Sequence, residues 1–206
     1  MLRLDAGEIR IGASDMTLEF CLLPYLEMFH KKYSNVKISI TNNPTPQTLE
    51  LLKQNKIDFA AVSEPFDTSG IEVFQAREIK DIFICSTNNK IPDGISVAEL
   101  KDELIMLESN TSTRTFLDIE FRKRGFSASP KFELATSPQI VGFAERNMGI
   151  GCVVYDFAEQ AIRSGKVREI KVSDPLINRH ICIVRNSDII SVAADKLLDM
   201  IINSPV

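Results

Sequence analysis

Three observations predict an α/β fold with two lobes. Strand-like and helix-like stretches alternate along most of the 206 residues. Several apolar runs end in a hydroxyl- or amide-rich helix start. Polar segments near residues 86–90 and 185–188 interrupt the alternation, which implies two successive βα blocks joined by two crossings.

The elements follow in order. Ile9, Ile11 and Ala13 alternate with polar residues and end at Ser14-Asp15, a strand running into a turn. Leu18, Leu22, Leu26 and Phe29 then recur at helical spacing, and Ser14, Asp15 or Thr17 can cap that helix. Val36, Ile38 and Ile40 form the next strand. Residues 44–55 read as a helix with Thr45 as N-cap and Pro46 at the first helical position. Residues 57–63 are a near-continuous apolar run, as in a buried parallel strand. Ile71–Phe74 and Ile79–Cys85 add strands.

Past Cys85 the chain turns polar and reaches Pro92-Asp93-Gly94, a strong turn signal. A short helix, Ser96–Leu100, precedes a strand, Leu104–Leu107. The loop Ser109–Thr113 opens a helix through Arg124 that stops at Gly125. Lys131–Leu134 is a strand. Ser137 is the expected N-cap of the next helix, with Pro138 after it and Gly149 at its end. Ile150–Val154 is a strand, Asp156 caps a helix, and His180–Val184 is a strand returning to the first lobe. Ser191–Ile202 closes the chain as an amphipathic helix. The expected division is 1–7 as a linker remnant, 8–86 with 187–206 as the first lobe, and 87–186 as the second.

Composition excludes several function classes. The chain is 44% hydrophobic and 25% charged, ordinary for a protein with a real core. A net charge of −4 argues against a nucleic-acid-binding face of its own. The apolar runs are strand-sized, no membrane span is expected, and the N-terminus lacks a secretory signal, so a cytoplasmic protein is expected. Cys21, Cys85, Cys152 and Cys182 lie in apolar segments without a CxxC, and read as buried reduced thiols. His30 and His180 have no partners at metal-ligand spacing, and no nucleophile elbow, P-loop or dinucleotide motif is present. No metal, no cofactor and no enzyme activity are expected.

Four helix starts stand out: Ser14–Thr17, Asn42–Thr45, Thr111–Thr113 and Thr136-Ser137. Each follows a strand and offers N–H and O–H donors. Plain N-capping explains any one of them. Two fall in each lobe, and a set that converges would suit a small anion.

The chain also resembles the effector-binding domain of LysR-type transcriptional regulators. The resemblance rests on Gly12 to Ser14, Leu22-Leu23-Pro24 and Lys32–Val36, where Ser34-Asn35 stands in place of the family's frequent Pro-x. It continues through Leu49-Leu51-Leu52, Lys56–Val62 and Met148–Gly151, and covers nearly the whole chain. It implies a two-lobed, type 2 periplasmic-binding-protein-like fold, each lobe a mixed sheet flanked by helices. It implies a small effector held by Ser14, Thr17, Asn42 or Asn43, Thr111, Thr113 and Ser137, with Ser63 and Glu64 as weaker contacts. Asp15 departs from the pattern: a carboxylate there repels an anion unless it points away or pairs with a cation, and the alternative is an effector with an amino group, such as an amino acid. Arg114 reads as a solvated helix residue, or alternatively as an anion's charge partner. The resemblance further implies a homodimer built on the helix of residues 17–33. DNA would be bound only through a winged helix-turn-helix absent from this chain. Met1-Leu2-Arg3-Leu4 reads as an artificial start in a linker's tail. The proposed mechanism is a ligand bridging the lobes and changing their angle, to the extent that it binds one arrangement better. The rival readings are a stand-alone solute-binding protein of a transport system and, further off, an enzyme on the same scaffold.

Overall fold

Local hydrophobic pattern becomes tertiary structure here through two separate five-stranded sheets. The computed structural model describes residues 7–186 and 190–203. The chain divides into two units, Met1–Glu78 with His180–Val206, and Ile79–Arg179.

The first unit opens with β1 (Gly7–Ala13), a short helix α1 (Asp15–Thr17), a π-helical stretch (Leu18–Leu22) and α2 (Leu23–Lys32). It continues with β2 (Val36–Asn42), α3 (Thr45–Lys53), β3 (Phe59–Ser63) and β4 (Glu72–Ile79). The second unit runs β5 (Asp81–Ser86), a 3₁₀ turn (Val97–Leu100), β6 (Leu104–Leu107), α4 (Ser112–Lys123), β7 (Phe132–Leu134), α5 (Ser137–Glu145), β8 (Ile150–Val154), α6 (Tyr155–Arg163) and β9 (Val167–Glu169). The chain returns through β10 (Arg179–Arg185) and ends in α7 (Val192–Asn203).

In the first sheet the order is β2-β1-β3-β10-β4. β1 is parallel to β2 and β3, and β10 runs antiparallel to β3. The central position of β3 explains its unbroken apolar run: all five of its residues are buried. Gly12 lets α3 close on this sheet. A Cβ there would lie 2.6 Å from Thr48 Cγ2 and 2.7 Å from Ile57 Cδ1.

The second sheet has the order β7-β6-β8-β5-β9. β6 is parallel to β7 and β8, whereas β5 is antiparallel to β8 and β9. Its two faces carry separate cores. Phe83 and Cys85 pack with Leu104, Met106, Phe116 and Phe121, while Ile82 and Ile84 pack with Ile105, Ile140, Val153 and Ala158. The period-two alternation along β5 splits these sets.

Several expectations shift. β5 was expected in the first lobe, but it pairs with β8 and β9 in the second sheet. The units therefore part at Glu78 and at Arg179 rather than at 86 and 186. Residues 1–6 of the expected linker remnant lie outside the described residues, and Gly7 already belongs to β1. Residue 187, the expected return point, lies outside them too. The first helix is not uniform. Pro24 has no N–H to give the Phe20 carbonyl four residues back, and Arg77 donates to that carbonyl from β4 instead. The π-helical stretch, Leu18–Leu22, spans this point.

Candidate functional site

In the first unit the β1–α1 corner is closed by a reciprocal cap. Ser14 has extended backbone, and its Oγ accepts from the Thr17 N–H at 3.3 Å. Thr17 Oγ1 accepts from the Ser14 N–H at 2.9 Å and donates to the Ala61 carbonyl of β3 at 2.9 Å. Thr17 is completely buried, so its hydroxyl ties the helix start to the central strand. Ser14 is half-buried, with its hydroxyl 3.3 Å from Thr17 Oγ1.

Asn42 ends β2, and its side-chain amide donates to the Asp15 carboxylate. The acidic residue that departs from an anion site is thus already engaged. Asn43 acts through its backbone: its N–H donates to Ala13 O at 3.1 Å, and its carbonyl accepts from Thr48 Oγ1 at 3.1 Å. Thr45 is the first residue of α3 rather than its cap, and no side chain caps that helix. Ser63 is buried at the end of β3. Glu64 accepts from the His180 N–H at 2.8 Å and stands 3.3 Å from His180 Nδ1.

In the second unit Thr111 is the N-cap of α4. Its Oγ1 accepts from the Arg114 N–H at 3.2 Å and donates to the Glu108 carbonyl at 3.1 Å. Thr113, two residues on, is buried, and its Oγ1 accepts from Arg179 Nη2 at 2.8 Å. Arg179 in turn holds Asp81 through Nε at 2.6 Å and Nη2 at 3.0 Å. Its guanidinium lies over the Phe116 ring, 5.0 Å from the centroid. The side chains of this pair are 2% and 0% exposed. A buried charge is tolerated only when paired and hydrogen-bonded, and both conditions are met.

Arg114 is neither solvated nor free. Its Nη1 donates to Leu107 O at 2.9 Å and to Glu133 Oε1 at 2.6 Å, and its Nε lies 3.1 Å from Asp118. Ser137 is the first residue of α5, one place inside the expected cap. Thr136 takes the cap position because Gln139, three residues on, accepts from its N–H at 3.2 Å. Asp156 likewise lies in the first turn of α6, with Val154 at the cap position.

Sequence reasoning missed Asp81 and Arg179. They are 98 positions apart, and neither has a local motif. The available signal was a charged residue leading a strand that is otherwise apolar. A cavity of about 210 Å³ also lies in this unit between Lys80–Phe83 and Glu169–Leu176; Asp81 lines it, and none of the predicted site residues does.

The four thiols are buried and unpaired. Burial pushes Cys21 up to about 11 and Cys182 up to about 12. Cys152 rises for the same reason, with the Asp81 charge adding to it. Such thiols are poor nucleophiles. Among the described residues no cluster of three His, Cys, Asp or Glu could hold a metal, and no helix is long and apolar enough to cross a membrane.

Residues 3–204 match the family described as LysR substrate binding domain. A probable RuBisCO transcriptional regulator of Chlorokybus atmophyticus is 22% identical over 89% of this chain and 61% of its own length. The chain spans between about a quarter and three-fifths of the length of the curated relatives it matches. Among solved structures, the regulatory domain of Synechocystis PCC6803 CcmR, in complex with 2-PG, superposes with a TM-score of 0.83. It is 18% identical, covering 97% of both chains. The effector binding domain of QuiR, in complex with shikimate, gives a TM-score of 0.83 at 17% identity and 97% coverage of both. These likenesses establish the fold as that of LysR effector domains, two mixed sheets flanked by helices in the type 2 periplasmic-binding-protein-like manner. A match over nearly the whole chain settles the rest: this chain belongs to the LysR substrate-binding domain family, a regulatory ligand-binding domain rather than a catalytic one.

Proposed function

We propose that this domain senses a small effector rich in hydrogen-bond acceptors, an anion or an amino acid, on behalf of a LysR-type transcription regulator in the cytoplasm. One observation carries the reading. In each sheet, two adjacent parallel strands end at a hydroxyl- or amide-bearing helix start. β1 and β2 end at Ser14 and at Asn42-Asn43, and β6 and β7 end at Thr111–Thr113 and at Ser137. The carboxyl ends of parallel strands are where open α/β sheets take ligands. Ser63, at the end of β3, is a further contact in this reading, whereas Thr17 supports the corner from beneath. Bound 2-PG in CcmR and bound shikimate in QuiR, on the same fold, support a small-molecule effector.

The domain works as a homodimer in this reading. On α2, Tyr25, Leu26 and Phe29 are buried, while Leu23 and Met28 remain 55% and 38% exposed. That leaves apolar surface for a second copy. DNA contact belongs to a winged helix-turn-helix elsewhere in the longer regulator.

A thermal-shift screen against amino acids, keto acids, aromatic acids, sulfate and phosphate tests the sensor reading. A ligand at 100 times its Kd adds about 2.7 kcal/mol, a shift of several degrees. The expected hit is weakened by Ser14→Ala. A hit indifferent to substitution at every proposed helix start contradicts the reading. Sedimentation at micromolar concentration tests the dimer, and a monomer contradicts it.

A further inference from the structure

Thr111 and Thr113 differ in what their hydroxyls have left to give. The Thr111 O–H is spent on both sides, donating to Glu108 O at 3.1 Å and accepting from the Arg114 N–H at 3.2 Å. Thr113 is only 6% exposed, and its Oγ1 makes one hydrogen bond among the described residues, from Arg179 Nη2 at 2.8 Å. A guanidinium carries donors and no acceptor. The Thr113 proton therefore cannot lie along that contact, and no group among the described residues takes it. Asp81 turns both carboxylate oxygens on the guanidinium, at 2.6 and 3.0 Å. The result is a buried hydroxyl whose oxygen is committed and whose proton is on offer. The Arg179 charge is cancelled by Asp81, so the group on offer is a fixed dipole rather than a net positive charge.

We propose that Arg179, held by Asp81, is a positioning residue that fixes Thr113 as a hydrogen-bond donor. The ligand atom at Thr113 is then an acceptor, an oxygen of a carboxylate, sulfate, phosphate or carbonyl group, and not an ammonium. This rests on the reading that the α4 start contacts the effector. It assigns the two charged residues that sequence reasoning missed to specificity as well as to the core. It also confines any ligand amino group to another part of the site.

An NMR titration of the intact chain tests this with two probes at constant ionic strength: sodium sulfate, which only accepts, and ethylammonium chloride, which only donates. Sulfate is expected to shift the amides of residues 111–114 saturably, and ethylammonium is not. Thr113→Ser retains sulfate binding, while Thr113→Val weakens it about tenfold, the scale of one charge-assisted hydrogen bond. The paired change Asp81→Leu with Arg179→Met removes both buried charges and frees the Thr113 hydroxyl to turn. It narrows the preference for sulfate over ethylammonium, which a purely structural pair would leave alone. If that variant does not fold, the Thr113→Ser and Thr113→Val comparison decides alone. Sulfate binding that depends on Ser14 but ignores Thr113→Val overturns the assignment and leaves the sensor reading standing. Equal response to the two probes at 111–114 also overturns it. No saturable shift at either helix start overturns both.

Discussion

The helix starts at Ser14 and at Thr111 look alike in sequence and are built to different ends. Both are N-caps whose side-chain oxygen accepts from the amide three residues on, at 3.3 and 3.2 Å. In the first unit the second hydroxyl, Thr17, turns inward and donates to the backbone of β3. In the second unit the buried hydroxyl of Thr113 meets a guanidinium, from which it can only accept. One threonine closes its corner. The other keeps a proton in reserve. The partner decides, not the residue type: a carbonyl consumes a hydroxyl's proton, whereas an arginine leaves it free.

The largest effect that could break this comparison comes from the pair behind Thr113. Asp81→Ala or Arg179→Met leaves one charge buried and alone. Either should cost about 3–5 kcal/mol in urea unfolding, whereas the paired change to Leu and Met should recover most of it. If the single changes are mild, the pair is not dry, and its hold on Thr113 is weaker than drawn.

Thr17→Val comes next. It removes the bond to Ala61 O and the acceptor of the Ser14 amide, both in or near the core, and should cost about 1–3 kcal/mol. It should leave the preference for acceptor ligands at residues 111–114 unchanged. Thr111→Ala removes a cap and should cost about 1 kcal/mol, read from the same unfolding curves.

Near neutral pH the smallest effect is a pH dependence, which grows only in alkali. Burial raises Cys21 in the folded state from about 9 to about 11. Above pH 9 the unfolded chain loses that proton while the native state keeps it, so the unfolded state binds fewer protons and stability falls with pH. The contribution is intact below pH 9 and is lost as pH rises toward 11. Cys21→Ala should flatten that part of the profile. The native thiols should also resist a disulfide reagent at neutral pH until the protein unfolds.

Most elements were legible because they are local. β8 matches its expected span, Ile150–Val154, and Gly125 stops its helix with φ +80. Sheet membership was not legible. The apolar run of β5 reads the same in either sheet, and only its pairing with β8 and β9 places it. The site divides in the same way. The hydroxyls at the helix starts are marked by local capping chemistry, and all were named. What each hydroxyl does depends on partners far along the chain, Ala61 for Thr17 and Arg179 for Thr113. Arg114 was misread for that reason. Its Asp118 partner stands four residues away, but Glu133, which completes its burial, comes from β7.

The most direct test is the exchange of the two hydroxyl protons with water, measured by NMR on the ligand-free chain. The Thr17 proton, donated to Ala61 O, should be visible and slow to exchange. The Thr113 proton, with no acceptor among the described residues, should exchange fast and then slow when an acceptor ligand binds. A Thr113 proton that is already slow without ligand would mean the protein supplies its acceptor, and the difference between the two helix starts would be gone.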